Sequence, residues 1–176
     1  MKFRIIRKKL RALVQSENGG ALAELAILVP FLAVMLAGVA EFGRFFHDYS
    51  TLAKATRASS RYLSNHALTN TEFTRAKNLV VCGKLVCGVS DPVQVTGLTS
   101  SNVCIETVGS PKVTSVTVRI PRVAGNCGTS ATAVGGTAAS SPYTYQPVFD
   151  IGALLNTSLT LALPIAPSTT MYYMVN

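Results

Sequence analysis

The sequence is poor in the groups that carry out chemistry. It holds two histidines, His47 and His66, nineteen positions apart and with no nucleophile motif beside either. There is no Gly-x-Ser-x-Gly, no phosphate-cradling glycine loop and no His-Glu-x-x-His. Asp91, Glu106 and Asp150 stand singly in loop or strand contexts, where a solvated role is expected. An enzyme is therefore not expected, and no cofactor is implied. No two of the four cysteines have the two-residue spacing of structural zinc sites, and both histidines lie away from them, so no metal is expected either. Acidic residues are scarce, 8 against 16 Lys+Arg, but six of the cations (Lys2, Arg4, Arg7, Lys8, Lys9, Arg11) crowd the first 17 positions beside Glu17 alone. The other 159 residues carry ten basic and seven acidic groups. A basic tail on a nearly balanced body argues against nucleic acid, which wants a basic face on the folded part. Charge is also too sparse for disorder, at 14% charged against 48% hydrophobic. No internal repeat is found, and 176 residues suit one outer domain rather than two.

What is present is a long apolar run. Leu25 to Ala40 is sixteen residues without a charge, and the flanks Gly20 to Glu24 and Phe42 to Phe46 extend it past twenty. About 20 helical residues cross a hydrocarbon core of about 30 Å, so the segment can span a bilayer. The cations before it favour a cytoplasmic N-terminus. The expected order is a basic cytoplasmic leader over 1–19, a transmembrane helix over 20–46, a helical continuation outside over 47–66 and a β-rich domain over 67–176. Two rivals stand beside this reading. A secretory signal peptide would be cut at Gly38-Val39-Ala40, releasing a soluble binding domain that starts at Glu41. A buried helix of a soluble protein is the other. Glu24 speaks against the signal peptide, because a carboxylate at the start of the apolar region lowers insertion efficiency. A bitopic periplasmic scaffold also fits the bare pattern.

Gly19-Gly20-Ala21-Leu22-Ala23-Glu24 sets a carboxylate five residues past a glycine, where basic leader meets apolar helix. This resembles the processing site of type IV prepilins, cut after the glycine by a membrane peptidase. A carboxylate in lipid is costly unless paired, and the new N-terminal ammonium of a neighbouring subunit can pair it. The span contains Pro30, which lacks an amide hydrogen and is expected to bend or loosen the helix. Glu41-Phe42-Gly43-Arg44 closes the span, and Ala55-x-Arg57-x-x-x-Arg61-Tyr62 follows. Together these features resemble the TadE-like family, pseudopilins of the tight-adherence (Tad) pilus machinery, over about residues 17–63.

The resemblance implies a pilin-like α+β fold, a long N-terminal helix followed by a small antiparallel β-rich domain. It also implies a single-pass protein of the bacterial inner membrane, with its C-terminal domain periplasmic and a role in assembling an adhesive pilus. Partners would be other pilin-like subunits, the Tad assembly machinery, a prepilin peptidase and inner-membrane lipid. Leu25 departs from the family, where an aromatic often follows the acid. Gly20 beside Gly19 leaves two cuts open, placing Glu24 at position five or four. Ala23 and the other small residues of the span permit close helix approach. Glu41 and Arg44, three apart, can pair on one helical face. Arg57 and Arg61, four apart, form either a solvated stripe or a contact with lipid phosphate or a partner subunit.

Outside the membrane, Tyr49, Leu52, Ala55, Thr56, Ser59, Tyr62 and Leu63 recur at helical steps and give a mild apolar face. Thr74 to Val81 reads as a short helix or a turn into strand. Val93–Leu98, Val103–Val108 and Val113–Ile120 are the strand candidates. In the last, Val116, Val118 and Ile120 alternate with Ser115, Thr117 and Arg119. Residues 125–141, rich in Gly, Ala, Ser and Thr, predict a loop, and Leu154 to Leu163 reads as a strand or buried edge. Cys82, Cys87, Cys104 and Cys127 all fall on the outer side, where two disulfides are the natural state. Of the three pairings, Cys82 with Cys87 and Cys104 with Cys127 is preferred.

Overall fold

A computed structural model describes residues 17–109, 111–123, 127, 141–149, 160 and 162–175. The leader over 1–16, nearly all of the 125–141 loop, Asp150 and most of Leu154–Leu163 lie outside the described residues. The chain divides into two units, Met1–Gly43 and Arg44–Asn176. One helix, α1 (Glu17–Ser64), begins in the first and ends in the second.

In the first unit the helix is apolar all round. Its large side chains from Leu22 to Phe42 are exposed, Ile27 at 74% and Val39 at 70%. Length and composition suffice to cross a membrane. The helix runs through Pro30 unbroken, although the proline offers no amide to the carbonyl of Ala26. It also starts at Glu17, so Gly19 and Gly20 are helical rather than a break between leader and helix.

In the second unit the order is the end of α1, then α2 (Asn70–Cys82), a 3-10 turn (Ser100–Asn102), β1 (Cys104–Val108), β2 (Ser115–Arg119) and β3 (Ser168–Tyr172). The fold is therefore α+β. Helix α2 starts where the Thr69 hydroxyl accepts the Glu72 amide at 3.3 Å and stops where Gly83 turns left-handed at φ 73°. Thus the 74–81 stretch is a full helix. The strands form one antiparallel sheet in the order β1-β2-β3, with Ile105 opposite Val118 and Val116 opposite Met171. Ile105, Thr107, Val116 and Val118 face inward and are buried, as alternation on a half-covered sheet requires.

One expectation about strands needs correction. Val93–Leu98 is not a strand. Pro92 precedes it and Gly97 takes φ 82°, so the chain turns there and buries Val95 and Leu98 as single side chains. The third strand is instead Ser168–Tyr172, just past Pro164 and Pro167. Its Ser-Thr-Thr-Met-Tyr composition lacks the apolar alternation that marks a strand, because it is an edge whose side chains alternate between exposed and half-buried.

The core joins Leu52, Leu63, Phe73, Val80, Val103, Ile105, Val116, Val118, Ile120 and Ile165, with Tyr143 and Tyr145. Between its apolar residues α1 presents small hydroxyls to the interior. Thr56, Ser59, Ser60 and Ser64 are buried. Ser60 donates to the Thr56 carbonyl at 3.0 Å, Ser64 to that of Arg61 at 2.8 Å, and Ser59 to Ala76 of α2 at 2.7 Å. Each hydroxyl is satisfied, so α2 can approach α1 closely without a buried orphan donor. The chain's end is tied to the same helix, with the Met174 amide donating to the Ser64 carbonyl at 2.9 Å.

One turn position admits only glycine. Gly109, closing β1, sits at φ 133°, and an added Cβ would fall 2.3 Å from the Lys112 carbonyl oxygen and 2.6 Å from the Thr114 nitrogen. These are backbone atoms of the β1–β2 connection, which no rotamer change can move aside.

Candidate processing and assembly site

Gly19 and Gly20 are consecutive helical positions, and the space around Gly20 is open. The expected cut at these glycines would need extended backbone in the protease cleft, so the helix would have to unwind here. Two adjacent glycines lower that cost, each weakening a helix by about 1 kcal/mol relative to alanine. Ala23 and Glu24 follow within about one turn and are exposed, as is Pro30. Glu24 is thus an exposed carboxylate on the apolar stretch of α1.

At the far end of the apolar stretch the two charges expected to share one face differ sharply in environment. Glu41 is 2% exposed, whereas Arg44 lies open. One turn later Phe45 packs its ring edge-on against Tyr145, with centroids 5.5 Å apart, which fastens this turn of α1 to its own unit.

Arg57 and Arg61 are exposed on one face of α1. Lys54, three residues before Arg57, completes the row, a member that sequence reading missed although its spacing was in plain view. Beside the row Thr51, Lys54, Ala55 and Ala58 line one wall of an open groove of about 400 Å³. Leu79, Gly83 and Gln94 line the other. No sequence signal marks this groove, because it depends on how α2 lies along α1.

Two side-chain clusters brace the surroundings. The Tyr62 hydroxyl donates to Glu72, and Arg75 donates to the same carboxylate at 2.8 Å. The Tyr62 hydrogen bond is the main cause holding the Glu72 carboxyl below its ordinary range, and the same contact raises the Tyr62 phenol. The His66 ring stacks on Tyr62 with centroids 4.0 Å apart. The second cluster is the loop closed between Cys82 and Cys87, whose Cα atoms lie 6.1 Å apart at disulfide geometry. Lys84 and Asp91 pair at 2.5 Å, and Asp91 also accepts the Gly88 amide at 2.8 Å. The lysine first, then the amide, lower the Asp91 pKa. Leu85, Val86 and Val89 are exposed on this braced loop. Cys104 and Cys127 form the other pair, with Cα atoms 5.7 Å apart.

Asp91 and Glu106 are therefore not simply solvated. Glu106 pairs with Arg119 across the β1–β2 ladder at 2.5 Å. Burial pushes the Tyr143 phenol up to about 12, its hydroxyl donating to the Thr96 carbonyl at 3.0 Å. Burial also lowers Lys77. Among the described residues no group of three His, Cys, Asp or Glu is placed to hold a metal ion.

The family model described as TadE-like protein matches residues 19–61. The match starts at the first of the paired glycines, takes in Glu24, Glu41, Arg44 and Arg57, and ends on Arg61. Over this segment, about a quarter of the chain, the sequence is similar to TadE-like proteins. No curated protein and no solved structure matches the chain.

Proposed function

We propose, from the TadE-like segment over residues 19–61, that the protein is a membrane-anchored pseudopilin needed to assemble a Tad-type pilus. The observation that carries the reading is the placement of that segment on one uninterrupted helix. Its first half is clad in exposed apolar side chains, and its second half is built into the core of an α+β domain. Such a helix anchors a domain to a bilayer and offers its apolar half to other helices.

On this reading the N-terminus is cytoplasmic, the Arg44–Asn176 unit is periplasmic, and a prepilin peptidase removes the leader after Gly19 or Gly20. Oxidised cysteine pairs on the outer unit are consistent with that compartment. The rival signal peptide would require cleavage after Ala40, directly before the buried Glu41. The protein's role is mechanical: α1 docks laterally with helices of other subunits, and Glu24 fixes their register.

Gly19→Ala tests the processing step. The variant is expected to accumulate in the membrane at the unprocessed size, about 2 kDa larger than the mature chain, a leader of nineteen residues at roughly 110 Da each. A mature band of normal size and with an unchanged N-terminus would place the cut elsewhere.

A further inference from the structure

We propose that the face of α1 formed by Lys54, Arg57 and Arg61, with the adjoining groove, docks an acidic amphipathic helix of a different protein subunit. All three cations are exposed, and no carboxylate among the described residues pairs with them. This is not for want of acids in the Arg44–Asn176 unit. Asp48 faces His47 at 3.5 Å, Glu72 faces Arg75, Asp91 faces Lys84 and Glu106 faces Arg119. Three of these four carboxylates are paired with a Lys or Arg and Asp48 lies beside a histidine, while three cations at helical spacing are left in a row.

Charge complementarity then chooses the occupant. A second copy is disfavoured, because it would bring the same three cations against a single described carboxylate of that unit, Asp48, that no Lys or Arg already pairs. Lipid phosphate is disfavoured by distance, an argument that rests on the membrane-anchored reading. Lys54, Arg57 and Arg61 follow Arg44 by 10, 13 and 17 residues. At about 1.5 Å per residue they stand roughly 15, 20 and 26 Å beyond it along the helix. The headgroup layer is only about 6 Å thick on each side, and charges are screened beyond about 8 Å at physiological salt. What fits is a helix with carboxylates along one edge for the cations and aliphatic side chains beside them for the groove. The groove floor offers Ala55, Ala58 and Leu79, small or apolar and free of a competing charge. Its far wall is held by the Gly83 cap and the closed loop after it, so little ordering entropy is lost on docking.

The test uses the full chain in nanodiscs of zwitterionic lipid and a fluorescent synthetic helix carrying glutamate on one edge and leucine on the adjoining one. The wild type is expected to bind the helix in a salt-sensitive manner. Lys54→Glu/Arg57→Glu/Arg61→Glu is expected to weaken binding by about tenfold or more, as three exposed ion pairs together allow. Ala58→Gln, which fills the groove and keeps the charges, is expected to weaken it as well. Equal binding by the triple variant overturns the proposal, as does undiminished binding by Ala58→Gln. Wild-type dimerisation, or flotation of the wild type with anionic vesicles, overturns it if the triple variant abolishes that behaviour while leaving helix binding unchanged. Circular dichroism of each variant confirms that the fold is retained. Carbonate extraction of the wild type reads membrane anchoring separately, so failure of the anchor is distinguishable from failure of the docking face.

Discussion

Glu24→Ala is expected to leave the protein inserted in the membrane while reducing pilus output roughly tenfold or more, the loss that a polar contact of about 1–2 kcal/mol between membrane helices implies. Insertion survives because the substitution removes a cost. A carboxylate in the apolar part of a helix disfavours the bilayer by up to about 3 kcal/mol at the centre and less toward the ends, and alanine carries no such penalty. On the proposed pseudopilin reading, assembly suffers because Glu24, exposed on α1, would be the carboxylate that pairs a neighbour's new N-terminal ammonium. Immunoblotting of washed membranes and of sheared surface filaments reads the two effects independently. Glu24→Gln sharpens the test, since it keeps the shape and hydrogen bonding but not the charge. Filament yield equal to wild type in both variants would remove Glu24 from the assembly step.

Phe73→Ala is expected to cost about 3–5 kcal/mol, the usual range for deleting a buried aromatic ring. Phe73 is 2% exposed and lies on the inner face of α2, packed into the core with Leu52, Leu63 and Val80. A domain of this size has roughly 5–15 kcal/mol of stability in all, so the variant is near the edge of folding. In thermal unfolding of the detergent-solubilised chain the midpoint should fall by roughly 10–20 °C. Val86→Ala is the matched control. Val86 is 71% exposed on the loop closed by Cys82 and Cys87, and its truncation should change stability by no more than about 0.5 kcal/mol. A similar midpoint for both variants would mean that α2 does not seat Phe73 in the core.

The long helix and the β1–β2 pair were legible in the sequence because their signals are local. An uncharged run from Leu25 to Ala40 has few structural meanings, and the alternation from Ser115 to Ile120 writes a half-buried strand directly. Strand β3 was illegible for the opposite reason. Ser168–Tyr172 gains its conformation from pairing with β2, not from its own pattern, and its neighbour across the interior is a hydroxyl, Thr56 facing Thr169 at 3.4 Å. Val93–Leu98 misled because valine and leucine resemble a strand wherever they fall, whereas Gly97 turns the chain. At the site, Gly19, Glu24, Arg57 and Arg61 were readable as motif positions. The exposure of Lys54 together with the pairing of three of the four described carboxylates in its unit to a Lys or Arg was not, since ion pairing such as Glu106 with Arg119 depends on strand register. The unequal environments of Glu41 and Arg44 were equally hidden, because a three-residue spacing says only that two side chains can meet.

Sequencing the N-terminus of the chain recovered from native membranes tests the central claim most directly. A retained span with a peptidase-trimmed leader predicts a first residue of Gly20 or Ala21. An intact Met1, or a chain that begins at Glu41 and washes free of the bilayer, would contradict it.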